Sequence, residues 1–342
     1  MDKPKVLFLI RKRVNYGISY GLVNSCDFLV RAFNKIRVES KIVEVVDGNS
    51  IDKEVYDYKP THVFLEAIWV TPDKIRELLD ISRYEKVQWF VRIHSNTPFL
   101  AHEGVALEWI KEYDKISKEN KNFHISCNSK LLNWELNNLI KSEVYYTPNV
   151  YNAKKAEKPI SFKEKGFVNI ACFGALRPLK NQLEQAVSAI LFAEKIHKKL
   201  KFHINSSRFE NQGESILKNL RNLFKDTDHK LVEHEWMNHP EFLNVVAGMD
   251  IGMQCSFTET FNIVAADFVN HGIPLVGSKE IEWIHSWFQA HPTSSKDIIA
   301  KLETAYYGDN INLQYLNEIN LKKYNEKSLT IWKDLLYNGI RS

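Results

Sequence analysis

The sequence predicts an α/β protein of two Rossmann-like halves facing a central cleft. Three observations carry this: β-rich apolar runs alternate with amphipathic stretches twice over, a polar lysine-rich segment separates the two series, and 342 residues exceed one ordinary core. Hydrophobic content of 44% and charged content of 26% are those of a globular chain, so the prediction extends over the whole length.

In the first half, strands are expected at Val6–Ile10, Lys41–Val46, His62–Leu65, Val87–Val91, Phe123–Ser126 and Val144–Tyr146. Leu22–Asn34, Thr71–Leu79, Leu100–Tyr113 and Lys130–Ile140 carry apolar residues three and four apart and read as crossover helices. Thr147-Pro148-Asn149 breaks the pattern, which closes a first domain over residues 1–150. Residues 151–166 have the composition of a linker.

The second alternation places strands at Phe167–Cys172, Lys201–Asn205, Leu231–His234, Ile251–Gln254 and Pro274–Val276. Helices are expected at Gln182–His197, Glu214–Phe224, Pro240–Val246 and Phe261–His271, giving a second domain over residues 167–320. A last helix, Leu321–Leu336 within residues 321–342, is expected to pack back on the first domain. Parallel sheets bind ligands beyond the carboxyl ends of their strands, so two facing halves place the working site in the cleft between them.

Several classes are disfavoured. The net charge of +4 lacks the strong excess of a dedicated nucleic-acid binder, although anionic partners stay open through clusters such as Arg11-Lys12-Arg13. The four cysteines are far apart without a C-x-x-C pair, so neither a zinc site nor a disulfide framework is indicated. No apolar run approaches the roughly 18 residues of a membrane span. The chain opens on a strand rather than a signal peptide, which makes the cytoplasm, or the host cytoplasm for a phage-encoded chain, the expected location. No G-x-G-x-x-G follows either first strand, against a dinucleotide oxidoreductase. Asp226-Thr227-Asp228 has D-x-D spacing but sits in a helix-to-strand connection, and no metal is expected there.

Ser256–Asn262 leads into a helix stopped by Gly272 and Pro274, with Ser256, Thr258 and Thr260 as candidate N-caps. Phe261, Val264, Ala265 and Phe268 share one face of that helix, leaving Asp267 on another side to meet a ligand. Backbone N–H groups at the helix start suit a pyrophosphate. Ahead of it, a strand runs through Gly174 into a turn carrying Arg177 and Lys180, two cations that can neutralise a departing diphosphate. Trp236 and Met237, just past the third strand of this half, can pack on a base. In the first half, the loop from Arg11 to Gly21 holds Gly17 with Tyr16 and Tyr20 and lets backbone approach a ligand. His94 follows the fourth strand at its carboxyl end, with Glu66 and Glu103 as neighbouring acids.

These segments resemble the retaining GT-B glycosyltransferases, whose fingerprint is Glu, seven residues, then Glu around such a helix; here the positions hold Glu259 and Asp267. The resemblance implies that Glu259 faces the donor sugar, with Thr260, Phe261 and Asn262 in the same donor-binding stretch. It also implies that Asp267, one methylene shorter than Glu, accepts from the ribose. The family usually has Arg directly after the glycine and Lys five residues later. Lys180 is matched to that lysine, Ala175 occupies the arginine position, and Arg177 supplies the charge from two residues on. Gly17 resembles the family's donor-phosphate loop, and His94 its sugar-contacting histidine. The implied reaction uses a UDP-sugar co-substrate with no cofactor, metal or side-chain nucleophile.

Glu66-Ala67-Ile68-Trp69-Val70 and Arg92-Ile93-His94-Ser95 further resemble phage and bacterial transferases, which brings double-stranded DNA carrying 5-hydroxymethylpyrimidines into view as acceptor. Arg11 and Arg13 would then meet the phosphates, Tyr16, Tyr20 and Trp69 would stack on or replace a flipped base, and Glu103 would orient the acceptor. A transferase acting on surface glycans or small molecules, and an inactive nucleotide-sugar-binding module, are the other open readings.

Overall fold

The structure is a computed structural model that describes residues 3–12 and 20–338, so Arg13, Tyr16, Gly17 and the side chain of Tyr20 lie outside the described part. Lys5–Arg11 (β1), Glu39–Val45 (β2), His62–Glu66 (β3), Gln88–Ile93 (β4), Phe123–Cys127 (β5) and Val144–Tyr146 (β6) form a parallel sheet of order β2-β1-β3-β4-β5-β6. Parallel pairing follows from the residues. β5 is buried at every position and β1 at five consecutive ones, so both sheet faces need cover. Tyr20–Lys35 (α1), Ile51–Tyr58 (α2), Pro72–Leu79 (α3), Thr97–Leu100 (α4), Ala106–Glu119 (α5) and Lys130–Leu139 (α6) are the helices of this part. α2 was not legible because only Ile51 and Val55 are buried in it, one helical step on an otherwise polar segment. The helix expected from Leu100 to Tyr113 divides into α4 and α5 around a turn containing Gly104.

Phe167–Ala171 (β7), Lys199–Asn205 (β8), Lys230–His234 (β9), Ile251–Gln254 (β10), Leu275–Ser278 (β11) and Gln289–Ala290 (β12) form the second parallel sheet, in the order β12-β11-β10-β7-β8-β9. This is the doubly wound order of a Rossmann sheet, with its switch point between β7 and β10. Gln182–Lys195 (α7), Gly213–Phe224 (α8), His239–Val246 (α9), Ile263–Asn270 (α10), Ser295–Gly308 (α11) and Tyr315–Asn338 (α12) complete the chain. Gly252 of β10 is what lets α10 lie close: a Cβ there would come within 2.6 Å of the Phe268 ring. No described helix is long and apolar enough to cross a membrane.

Two compact units result: one takes the chain up to Asn152 and again from Asn325, and the other is Ala153–Tyr324. The later part of α12 thus belongs with the first unit. Trp332 is fully buried there, edge-on to Phe64 at 5.0 Å and Phe33 at 5.2 Å, and donates to the Pro148 carbonyl at 2.8 Å. Asn325 receives the Tyr151 N–H at 2.9 Å and returns a bond to its carbonyl at 3.1 Å.

Each unit also buries histidines in the neutral form. In the first, His62 and His124 flank Phe90, and burial pushes both down to about 4. In the second, burial and the adjacent His234 push His203 down to about 3. An unfolded imidazole binds its proton below a pH of about 6.5. Between that value and the folded ones the unfolded chain carries more protons, so stability falls as pH falls. Thermal unfolding from pH 7 to pH 5 should show a steadily falling Tm, with about two to three protons taken up per molecule near pH 5. A flat profile would contradict neutral burial of these rings.

Candidate functional site

At the switch point of the second sheet, the chain leaving β7 passes Phe173 and turns at Gly174, whose φ of 122° is one that only glycine adopts cheaply. The Gly174 N–H is held by Asn205 Oδ1 at 2.9 Å. A short 3-10 turn over Pro178–Lys180 follows, and Asn181 opens α7. The segment after β10 is tied to this turn: Phe257 N donates to Leu179 O at 2.9 Å, and Asn181 Nδ2 donates to Cys255 O at 3.1 Å. Those bonds bring Lys180 Nζ to 2.5 Å from Glu259 Oε1, with side chains only 11% and 7% exposed. The Lys180 arm lies over Gly174, where a Cβ would stand 3.7 Å from its Cε.

A second charged group stands beside the same turn. Arg177 donates to one oxygen of Glu210 at 2.9 Å, and Arg208 donates to the other at 2.6 Å. Burial pushes the Glu210 carboxyl up, but the two guanidinium groups outweigh it and hold the carboxyl below its ordinary value. Arg208 also sits 4.7 Å over the Trp236 ring, a cation–π contact. Leu176 N donates to Arg208 O and Glu210 N to Leu176 O, both at 2.9 Å, so the segment after β8 is knitted to the glycine turn.

The first unit gathers a separate polar cluster at the carboxyl ends of β3 to β5. Arg92 is fully buried and donates to Glu66 Oε2 at 3.0 Å, to Thr147 O at 2.9 Å and to Asn149 Oδ1 at 2.6 Å. His94 Nε2 bonds to Glu66 Oε2, and its Nδ1 accepts from Asn128 Nδ2 at 3.3 Å. Burial and Arg92 lower the His94 pKa against the opposing pull of Glu66. Burial raises Glu66, but Arg92 and His94 prevail and keep it ionised. The next residue, Ala67, holds a φ of 73°, a left-handed conformation that costs energy for a residue with a Cβ.

No protein-family profile matches the chain, and no curated protein matches it significantly in sequence. Solved structures do match. The apo structure of OtsA superposes with a TM-score of 0.68 at 11% identity, over 99% of this chain and 100% of that one. Anabaena Alr3699/HepE in complex with UDP and glucose gives 0.63 at 14% identity, over 97% and 98% of the two chains. A UDP-forming trehalose-phosphate synthase from Burkholderia xenovorans gives 0.62 at 12% identity, over 96% and 97%. The fold is GT-B.

In this GT-B chain, Gly174, Lys180 and Glu259 meet at the switch point of the second sheet, while Arg177, in the same turn, pairs with Glu210. Four expectations need correction. The cap of α10 is Asn262 rather than Ser256, Thr258 or Thr260: its Oδ1 accepts from Ala265 N at 2.9 Å, and its Nδ2 donates to Gln254 Oε1 at 2.8 Å. Asn262 is therefore engaged in building the helix start. Phe261 is buried against Trp283 and Tyr324, which makes its ring a core contact. Asp267 does not stand on an open side of α10. It is buried, and its Oδ1 is bonded to His239 Nε2 at 2.9 Å, because α9 packs over that flank of the short helix. His94 has both ring nitrogens engaged, by Glu66 and by Asn128.

Thr260 is half-buried beside Glu259, and Met237 is half-buried beside Trp236. Trp69 packs on the core of the first unit, Glu103 lies in the turn between α4 and α5, and Arg11 is exposed at the end of β1. Asp228 pairs with Lys199 at 3.0 Å, and no group of three metal-ligating side chains occurs among the described residues. Arg208 and His239 were missed. Both lie just past carboxyl strand ends, a position that flags a charged or imidazole side chain only once the strands are placed.

Proposed function

We propose that the protein is a retaining glycosyltransferase that moves a sugar from a nucleoside-diphosphate sugar, a UDP-sugar first, onto an acceptor hydroxyl. The observation that carries this reading is the buried Lys180–Glu259 pair lying over Gly174 at the switch point. In the proposed step, the bond from the anomeric carbon to the diphosphate oxygen breaks while one to the acceptor oxygen forms on the same face. The acceptor proton passes to the departing phosphate. Lys180, Arg177 and the N–H groups at the start of α10 hold the negative charge that develops. Glu259 is assigned to the donor sugar together with Thr260, and Trp236 and Met237 to the base. His94 is assigned to the reacting sugar, with Glu66 fixing its ring. Bound UDP in Anabaena HepE supports the choice of base to test first.

A panel of nucleoside diphosphates and their sugars tests the reading by thermal shift. A true donor at a hundred times its Kd stabilises the folded chain by about 2.7 kcal/mol. Absence of a shift with every member of the panel would remove the proposal.

For the acceptor, duplex DNA bearing 5-hydroxymethylpyrimidines is the first to be tried, with surface-glycan and small hydroxyl acceptors in competition. Arg11 and Lys12 are exposed at the end of β1 in support of a phosphate contact. Transfer to DNA that declines steeply with salt is the expected result. Label appearing only on the competing acceptors excludes DNA. Donor binding without transfer or hydrolysis identifies a binding module.

A further inference from the structure

Two buried glutamines tie the segment after β10 to the glycine turn. Gln254, the last residue of β10, is 1% exposed; its Nε2 donates to Phe173 O at 2.9 Å, and its Oε1 accepts from Asn262 Nδ2 at 2.8 Å. Gln185 of α7 is fully buried; its Oε1 accepts from Cys255 N and its Nε2 donates to Lys180 O, both at 2.8 Å. The backbone partners fix which way round each amide sits. A carbonyl only accepts and a backbone N–H only donates, so nitrogen faces Phe173 O and Lys180 O, and oxygen faces Cys255 N. The Gln254 oxygen then faces Asn262, whose nitrogen turns towards it and whose oxygen is left for Ala265 N at 2.9 Å.

A relay of neutral amides thus runs from Phe173 O, one residue before Gly174, through Gln254 and Asn262 to the first turn of α10. No charged side chain could replace Gln254 in it. A carboxylate could not donate to Phe173 O, an ammonium could not accept from Asn262, and either would add a charge beside the Gly174 turn. Asn262 holds a φ of 61°, a left-handed value that costs energy for a residue with a Cβ. Both ends of its amide are in use, and these bonds hold the chain in that conformation between Glu259 and α10.

We propose that Gln254 is a positioning residue for the diphosphate. Acting through Asn262 and the Phe173 carbonyl, it sets the separation between the Gly174–Lys180 turn and the start of α10, so that Lys180 and the α10 N–H groups converge on one ligand. This rests on the nucleotide-sugar reading above. Because the tether is neutral, it fixes those groups without offsetting the positive charge they present, and none of them has to move as negative charge grows on the leaving group.

Calorimetry on the full chain with uridine, adenosine and guanosine diphosphates, well below the Tm, selects the tightest binder. Gln254→Met replaces the amide with an apolar side chain of similar length and should weaken that ligand about tenfold, the loss expected for one hydrogen bond to a charged group. Asn262→Gly cuts the same tether from its other end. Glycine suits the φ of 61° and replaces a capping residue at little cost, so this variant decides the matter if Gln254→Met does not fold. Leu302→Ala, which truncates a fully buried side chain of α11, should lower the Tm yet bind the ligand as the wild type does. Wild-type affinity in the tether variants that fold, or a loss that Leu302→Ala reproduces, overturns the positioning role and leaves the transferase reading standing. Failure of all three diphosphates to bind the wild type overturns both.

Discussion

Lys180→Ala is expected to lower kcat for sugar transfer by about a hundredfold to a thousandfold, the loss typical of removing one preorganised group from a developing negative charge. The Lys180 side chain is about nine-tenths buried and pairs with Glu259, so water screens the cation little. In the proposed step the charge grows as the diphosphate leaves, so kcat should fall more than KM rises. Lys180→Arg should recover only part of the rate, since a guanidinium does not reproduce a compact ammonium lying along Gly174. Circular dichroism and Tm on the same preparations separate lost chemistry from lost fold. Transfer at the wild-type rate in Lys180→Ala would remove this lysine from the mechanism.

The largest stability effect is expected at Arg92. Its guanidinium is fully buried, pairs with the equally buried Glu66, bonds Thr147 O and Asn149 Oδ1, and lies 5.5 Å from the Trp332 ring. Arg92→Met leaves Glu66 buried without its cation, a change that costs about 3–5 kcal/mol. For a unit of this size the Tm of the cooperative transition should drop by roughly 6–20 °C. Adding Glu66→Gln should restore part of the loss, because the stranded charge is then gone. A single variant that melts within a degree or two of the wild type would contradict this account.

The strands were legible because each is a short apolar run, and nearly all are found within two residues of their expected limits. β12 was not, because Gln289–Ala290 offers only two residues and one buried side chain. α11 escaped for a related reason: Ser295–Gly308 follows a polar turn and buries Ile298, Leu302 and Ala305 along an otherwise mixed surface. At the candidate site, the turn marks Gly174 with its cations, and the resemblance to the family fingerprint is what singles out Lys180 and Glu259. The fate of Asp267 could not be read from either. Helical periodicity tells which residues share a face, but only the packing of α9 decides which flank of α10 is covered, and by His239. His94 was placed at the right strand end, while its bonds to Glu66 and Asn128 depend on the register of three strands.

The burial of Trp332 among Phe8, Phe33 and Phe64 has a consequence for biosynthesis. Ala153–Tyr324 is one uninterrupted stretch, so that unit needs nothing encoded after it to close its interior. The unit encoded first must instead wait for an indole encoded after the whole of the second. The order in which the two units mature is thereby the reverse of the order in which they begin, and a message truncated before codon 325 would release a finished second unit attached to an unfinished first one.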